Sequence, residues 1–331
     1  MITYQSLKIF ILCICTSFVY QANAQIYVDL TATTGANDGT SWINAYTDFQ
    51  DALDNAVAND TIWLAAGTYI PTEEPDGAPT GVGNERYRAF HLANKDLSIY
   101  GGFSGTETML NQRNWQANIT TLSGDFNNDD VVSGSGSTLS FINNSENAYH
   151  TLITIGLGTT AEINGFQVSG GNADDSGDFL YAGETVTLYE GAGLYNKLNS
   201  SPHLSNMIIS TNFSIGAGGG MYNNASSPTF VNVSFSFNQG QLGAGMYNYT
   251  SSAVLSDVTF IGNNATFNGG GMNNDFNSTP SLLNVTFSDN NAQNGGGLVC
   301  YSNSAASLTN VSFINNSASQ TGGGIFNNQS S

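Results

Sequence analysis

One feature limits the possible folds of this chain more than any other: two independent markers recur in its second half with the same period. Gly193, Gly220, Gly245, Gly271, Gly297 and Gly324 each close a Gly-rich triplet followed by Leu, Met or Ile, at steps of 27, 25, 26, 26 and 27 residues. In phase with them run Asn232-Val-Ser-Phe235, Asp257-Val-Thr-Phe260, Asn284-Val-Thr-Phe287 and Asn310-Val-Ser-Phe313, preceded by a weaker Asn206-Met-Ile-Ile209. A shared period of this length is the mark of a stacked repeat architecture.

Within each unit the apolar residues alternate with small polar ones, as Val233 and Phe235 do around Ser234. That is strand periodicity, in runs too short for a helix. Ordering 26 residues costs on the order of 26–50 kcal/mol of backbone entropy. One buried Phe returns only ~1.5–3 kcal/mol. A single unit therefore does not stand alone, and its inward side chains and backbone ladder must be shared with its neighbours. The expected fold is all-β: a right-handed parallel β-helix of about 26 residues per coil, with like residue on like residue at ~4.8 Å.

Two columns are expected to be architectural. Asn212, Asn238, Asn263, Asn290 and Asn316 follow Ile209, Phe235, Phe260, Phe287 and Phe313 by three residues, so they form an amide ladder at a corner where Asn also tolerates left-handed backbone. Phe235, Phe260, Phe287 and Phe313 form the interior file. The Gly triplets are read as positions of positive φ or close packing. Ser234, Thr259, Thr286 and Ser312 make an outward line of hydroxyls, read as ordinary strand surface in preference to a glycan or ice face.

The sets Phe235-Ser-Phe-Asn238, Phe260-Ile-Gly-Asn263, Phe287-Ser-Asp-Asn290 and Phe313-Ile-Asn-Asn316, each followed by a Gly-rich triplet, resemble the FxxN and GGA[ILV] repeats of chlamydial polymorphic outer membrane proteins. The resemblance covers about 190–331. It implies a pectin-lyase-like right-handed β-helix exposed at a bacterial surface and acting in adhesion. Tyr27-Val-Asp29, Asn37-Asp-Gly-Thr-Ser-Trp42, Asp60-Thr-Ile-Trp-Leu-Ala-Ala-Gly-Thr-Tyr69 and Tyr100-Gly-Gly-Phe103 resemble the N-terminal region of exported β-helix proteins of Bacteroidota.

The chain divides into a signal peptide (1–24), a cap with the first coils (25–110), irregular coils with insertions (111–190) and regular repeats (191–331). Lys8, a short apolar run from Ile9 to Cys15 and Ala22-Asn-Ala24 have the order of a secretory signal cleaved after Ala24. The run is too short to span a membrane. Cys13 and Cys15 leave with the signal, so Cys300 stays unpaired. The destination expected is the extracellular or outer-membrane surface of a Gram-negative bacterium. The last residues, Asn327-Asn-Gln-Ser-Ser331, match Asn223-Asn-Ala-Ser-Ser227 and stop mid-repeat, which reads as a truncated product.

Near the start, Phe49, Ala52, Leu53, Ala56 and Val57 share one face of an amphipathic helix, with Thr47 and Gln50 as a capping box and Asn59-Asp60 as its end. Such a helix would cover the open first coil.

Charge narrows the function. The net charge is −19 with six Lys and Arg, which leaves no basic patch for nucleic acid. Only Asp257, Asp275 and Asp289 are charged after Lys197. A polysaccharide lyase needs an Arg or Lys base beside calcium-binding carboxylates, and a hydrolase needs paired carboxylates. The regular coils offer neither, so the expectation is a non-catalytic, adhesin-like or structural protein whose partner is a glycan or a protein surface. The alternative is a lyase or hydrolase acting on acidic glycans, with its site between about 85 and 190, where Arg86, Arg88 and Arg113 lie among many carboxylates. Asp174, Asp175, Asp178, Glu184 and Glu190 are read as a solvated loop. His91, His150 and His203 are isolated, with no transition-metal spacing. No other cofactor is expected, but Asp125, Asn127 and Asp129 alternate as in a calcium loop and could hold a structural calcium, though the usual turn Gly and terminal Glu are missing.

Overall fold

The computed structural model describes residues 23–328. The segment expected as a signal peptide (1–24) lies almost wholly outside them, as do the last three residues. No described helix is long and apolar enough to cross a membrane.

The chain is mostly β, with three long parallel sheets of 15, 8 and 6 strands and two antiparallel pairs among the described residues. Its parallel pairing is compatible with a β-solenoid. In the parallel sheets the repeat strands pair with their counterparts one repeat along. Phe235 lies against Phe260, Phe260 against Phe287 and Phe287 against Phe313. Their rings stack at 4.9, 4.8 and 5.0 Å with planes within 7° of parallel. In the 8-stranded sheet Leu194, Met221, Met246, Met272, Leu298 and Ile325 align in the same way. Except for the exposed Ile325 and the partly buried Phe313, these files form one apolar core that reaches back through Ile209, Ile163 and Ile99 to Ile62.

The Gly triplets serve two purposes. Their first members, such as Gly218, Gly243, Gly269 and Gly295, take φ of +54° to +65°. Their third members from Gly193 to Gly297 admit no side chain: a Cβ on Gly271 would lie 2.6 Å from the Gly297 carbonyl oxygen, and one on Gly245 2.5 Å from that of Gly271.

The expected amide ladder is present. Asn212, Asn238, Asn263 and Asn290 are fully buried, and each donates through Nδ2 to the Oδ1 of the next, ending on Asn316, at 2.9–3.1 Å. The left-handed backbone falls one residue earlier than expected, on Thr211, Phe237, Gly262, Asp289 and Asn315. The Asn side chain is therefore required for its two-sided hydrogen bonding, and the corner itself is turned by its predecessor. Left-handed backbone also recurs in a second, mostly exposed column, Asn206, Asn232, Asp257, Asn284 and Asn310, which carries a partial ladder of its own.

The helix is shorter than its pattern suggested. It spans Phe49–Asn55, and its N-cap is Asp48, whose carboxylate accepts the Gln50 N–H at 2.7 Å. Thr47 is tied back to Asn37. Gln50 is buried and uses its amide on the backbone of His91, so it does not reach back to a cap. Val57 lies beyond the helix and is exposed. Asp60 does not end the helix but anchors the Ala24 and Val57 N–H groups. Phe49, Ala52, Leu53 and Ala56 enter the core, with Phe49 5.2 Å from the Phe90 ring.

The acidic stretch from Asp174 to Glu190 is not a solvated loop. Asp178–Tyr181 and Glu184–Thr187 form an antiparallel hairpin around Ala182 and Gly183, both at positive φ. Two successive positive-φ residues suit the twist of a tight hairpin. Phe179, Tyr181, Val186 and Leu188 are buried against Tyr195, Tyr222, Tyr247 and Ile153, in a second apolar cluster on the outer face of the 8-stranded sheet. Asp175 and Asp178 are exposed and Glu184 pairs with Lys197 at 3.2 Å, but Glu190 is held against the fold, where it accepts the Thr187 hydroxyl at 2.9 Å and burial raises its carboxyl pKa.

His150 lies in the same region, wholly buried, with Nδ1 on the Gly191 carbonyl at 3.0 Å. Burial holds its pKa down at about 4, from 6.5. The unfolded chain thus binds the extra proton first, and His150 favours the fold fully above pH ~6.5, losing that contribution as pH falls toward ~4. Over this window the loss amounts to about 3 kcal/mol. Between about pH 7 and about pH 4.5 the wild type should lose about 2 kcal/mol more than a His150→Leu chain, a difference that removes the opposite contribution of carboxyls such as Asp130, whose pKa burial raises. A His150→Leu chain that loses the same amount over that interval would exclude this histidine as the cause.

Candidate metal centre

Asp125 follows the strand Thr120–Ser123 directly, where the chain leaves the sheet. It returns through Glu146 and Asn147 before the strand Leu152–Ile155. Between them the arm makes an antiparallel pair, Val131–Ser133 with Ser140–Ile142. Departure and return meet at one point: carboxylate oxygens of Asp125, Asp129, Asp130 and Glu146 all lie within 4.8 Å of one another. Of the three residues expected as a calcium loop, the structure brings Asp125 and Asp129 into this group and leaves Asn127 exposed.

The local chain explains part of the geometry. The buried Asp125 carboxylate accepts the Asp129 N–H at 3.3 Å and the Asp130 N–H at 3.2 Å, which folds the loop back on its first residue. Asn147, 1% exposed, donates its amide to Asp130 Oδ2 at 2.7 Å. Burial pushes the Asp130 carboxyl up to about 6, and the charges of Asp125, Glu146 and Asp129 push the same way. Glu146 is also raised, by burial and then by Asp129. Among the described residues no Lys or Arg forms an ion pair with any of the four.

The arginines serve other partners. Arg86 donates to the Asn147 and Asn172 carbonyls, pairs with Asp174 at 2.6 Å and lies 4.2 Å from the centre of the Tyr149 ring. Arg113 donates to Gly101 O and to Asn164 Oδ1 and lies over Tyr100. Arg88 stands 3.5 Å from Glu74. His91 packs edge-on against Tyr181, and His150 against Tyr195. No histidine joins an acidic cluster among the described residues. Cys300 is buried and free.

Two features were missed. A second buried amide ladder runs Asn196, Asn223, Asn248 and Asn274 at 2.8–3.0 Å and ends against Cys300 Sγ. Beside it, backbone N–H groups of Ser200, Ser226, Ser251 and Ser278 each donate to the hydroxyl of the next serine. Both columns keep the period of the Gly triplets, which is the signal that could have revealed them. The hydroxyls of Ser234, Thr259, Thr286 and Ser312 are in register along the opposite sheet, as expected.

No protein-family model matches this chain, and no curated protein matches it.

Proposed function

We propose that this chain is an exported right-handed parallel β-helix of about 26 residues per coil, closed on its N-terminal side by the Phe49–Asn55 helix, that acts as a non-catalytic, adhesin-like or structural protein at the extracellular or outer-membrane surface of a Gram-negative bacterium. The observation that carries this reading is the use of the arginines. A lyase needs a free guanidinium or ammonium next to its metal-binding carboxylates. Arg86, the one that approaches the acidic cluster, contacts Asn147 only through a backbone carbonyl and directs Nη2 to Asn172 and Asp174.

Further support is the regularity of the coils after Lys197. Their side chains are used in ladders and stacks, and after Lys197 only Asp257, Asp275 and Asp289 carry charge, which leaves no catalytic set on these coils. The resemblance of the FxxN and Gly-rich repeats to the chlamydial polymorphic outer membrane proteins points the same way.

The test has two arms. Incubated with polygalacturonate and calcium, the full chain should show no turnover, and Arg86→Ala, Arg88→Ala and Arg113→Ala should change nothing. Expressed in a Gram-negative host, it should be removed by protease added to intact cells. Turnover that one of the substitutions abolishes would establish the alternative, an enzyme acting on acidic glycans. Retention inside the cell would refute the surface assignment.

A further inference from the structure

The acidic cluster is unusual in what faces it. Asp130 Oδ1 and Glu146 Oε1 are both buried and accept no hydrogen bond from the chain. The Oδ1 of Asn147 is in the same condition, on a residue 1% exposed. Its carboxamide is held against Asp130 by the Nδ2 bond, and this neutral oxygen cannot exchange places with the nitrogen without breaking that bond. Buried acceptors almost always find a donor. Here three at one place, two of them on carboxylates, have none.

We propose that Asp125, Asp129, Asp130 and Glu146, together with Oδ1 of Asn147, hold one calcium ion that clasps the base of the arm formed by residues 125–147. The donors are all oxygen and mostly anionic, the set that a hard divalent cation takes, and no imidazole or thiolate is present to favour a transition metal. Calcium binds oxygens at ~2.3–2.6 Å, so two ligands of one ion are separated by no more than about 5 Å. The 4.8 Å spread of the cluster meets that limit. Magnesium keeps a tight octahedron and several waters, which suits a crowded set of carboxylates less well. The cluster also has an approach: Asp125 and Asp130 line a groove of about 310 Å³ beside the hydroxyls of Thr68, Thr121 and Thr211.

The ligands come from both ends of the arm, which gives the ion a task. The arm reaches across the 6-stranded sheet, where Gly136 N–H donates to the Gly262 carbonyl at 3.1 Å and Phe141 lies 5.7 Å from Phe213. A cation joining Asp125 and Asp130 to Glu146 and Asn147 closes the base of this excursion and holds its tip on the later repeats. Without it, like charges push the two ends apart.

Calorimetric titration of the EDTA-stripped full chain with calcium chloride alone should show one site per chain, with magnesium at least about tenfold weaker. Amide hydrogen exchange over residues 131–142 should slow at least tenfold on calcium addition. Asp125→Asn, and separately Glu146→Gln, should weaken binding at least about tenfold, as lost or perturbed ligation does. Asp178→Asn, exposed on the other hairpin, should leave it unchanged. A wild-type chain with no calcium heat, or binding that survives both Asp125→Asn and Glu146→Gln, would overturn the proposal. So would calcium binding that leaves exchange in the arm unaltered. None of these readouts depends on surface location or adhesion.

Discussion

Replacing Asn263 by alanine should lower the unfolding free energy by about 4 kcal/mol, since each buried group stripped of its partner costs about 1–3 kcal/mol. The side chain sits at the centre of the ladder and works in both directions. Its Oδ1 accepts the backbone N–H of Asn238 at 3.0 Å and the Asn238 Nδ2 at 3.1 Å. Its Nδ2 donates to the Phe235 carbonyl and to Asn290 Oδ1, both at 2.9 Å. Truncation leaves the Asn238 N–H with no acceptor in a position that water does not reach. Asn263→Asp should be worse, because it places a charge in the file and turns a donor toward Asn290 into an acceptor. Ser234→Ala, on the outward hydroxyl column, should change stability by no more than about 0.5 kcal/mol. Denaturant midpoints with unchanged slopes would measure all three. An Asn263→Ala chain as stable as Ser234→Ala would mean that the ladder decorates the corner without holding it.

The repeat was legible because stacking turns spatial register into sequence period. Phe235, Phe260, Phe287 and Phe313 had to recur once a like-on-like file was required, and so did the third glycine of each triplet, which faces the next carbonyl. The Asn196 and Ser200 columns obey the same rule but were hidden by composition. Asn and Ser beside Gly read equally well as turn residues, so their shared period is the one sequence signal of a ladder and their burial is what separates it from a loop. The hairpin around Ala182-Gly183 was misread for a different reason. It occurs once, so no period supports it, and its acidic residues mask the alternation of Phe179, Tyr181, Val186 and Leu188 that packs it onto Tyr195 and Tyr222. The helix cap was misassigned because Gln50 has a stronger competing partner in the backbone of His91.

The acidic cluster shows the limit most clearly. Asp125 and Asp129 were visible as alternating oxygens in a short motif. Asp130 and Glu146 could be assigned only once the arm had closed, because Glu146 lies on the far side of a hairpin whose two strands bring it back. A local pattern identifies ligands that share a loop. It is silent on ligands joined by topology.

Phe260→Ala should be as damaging as any single truncation in the chain, at about 3–5 kcal/mol for a buried Phe. The ring is fully buried and stacked on both sides, by Phe235 at 4.9 Å and Phe287 at 4.8 Å. Its removal opens a cavity between two neighbours that cannot collapse, since each is held by its own strand pairing and by the amide ladder three residues on. Phe313→Ala offers the comparison within the same file. That ring is only partly buried and stacks on Phe287 alone among the file's rings, so its loss should cost about 1–2 kcal/mol, less than full burial of a Phe is worth. In a stacked repeat each unit is stabilised through its interfaces with its neighbours, so a defect at Phe260, stacked on both sides, weakens two of them. Equal losses for Phe260→Ala and Phe313→Ala would show that the file is not the shared core on which the repeats depend.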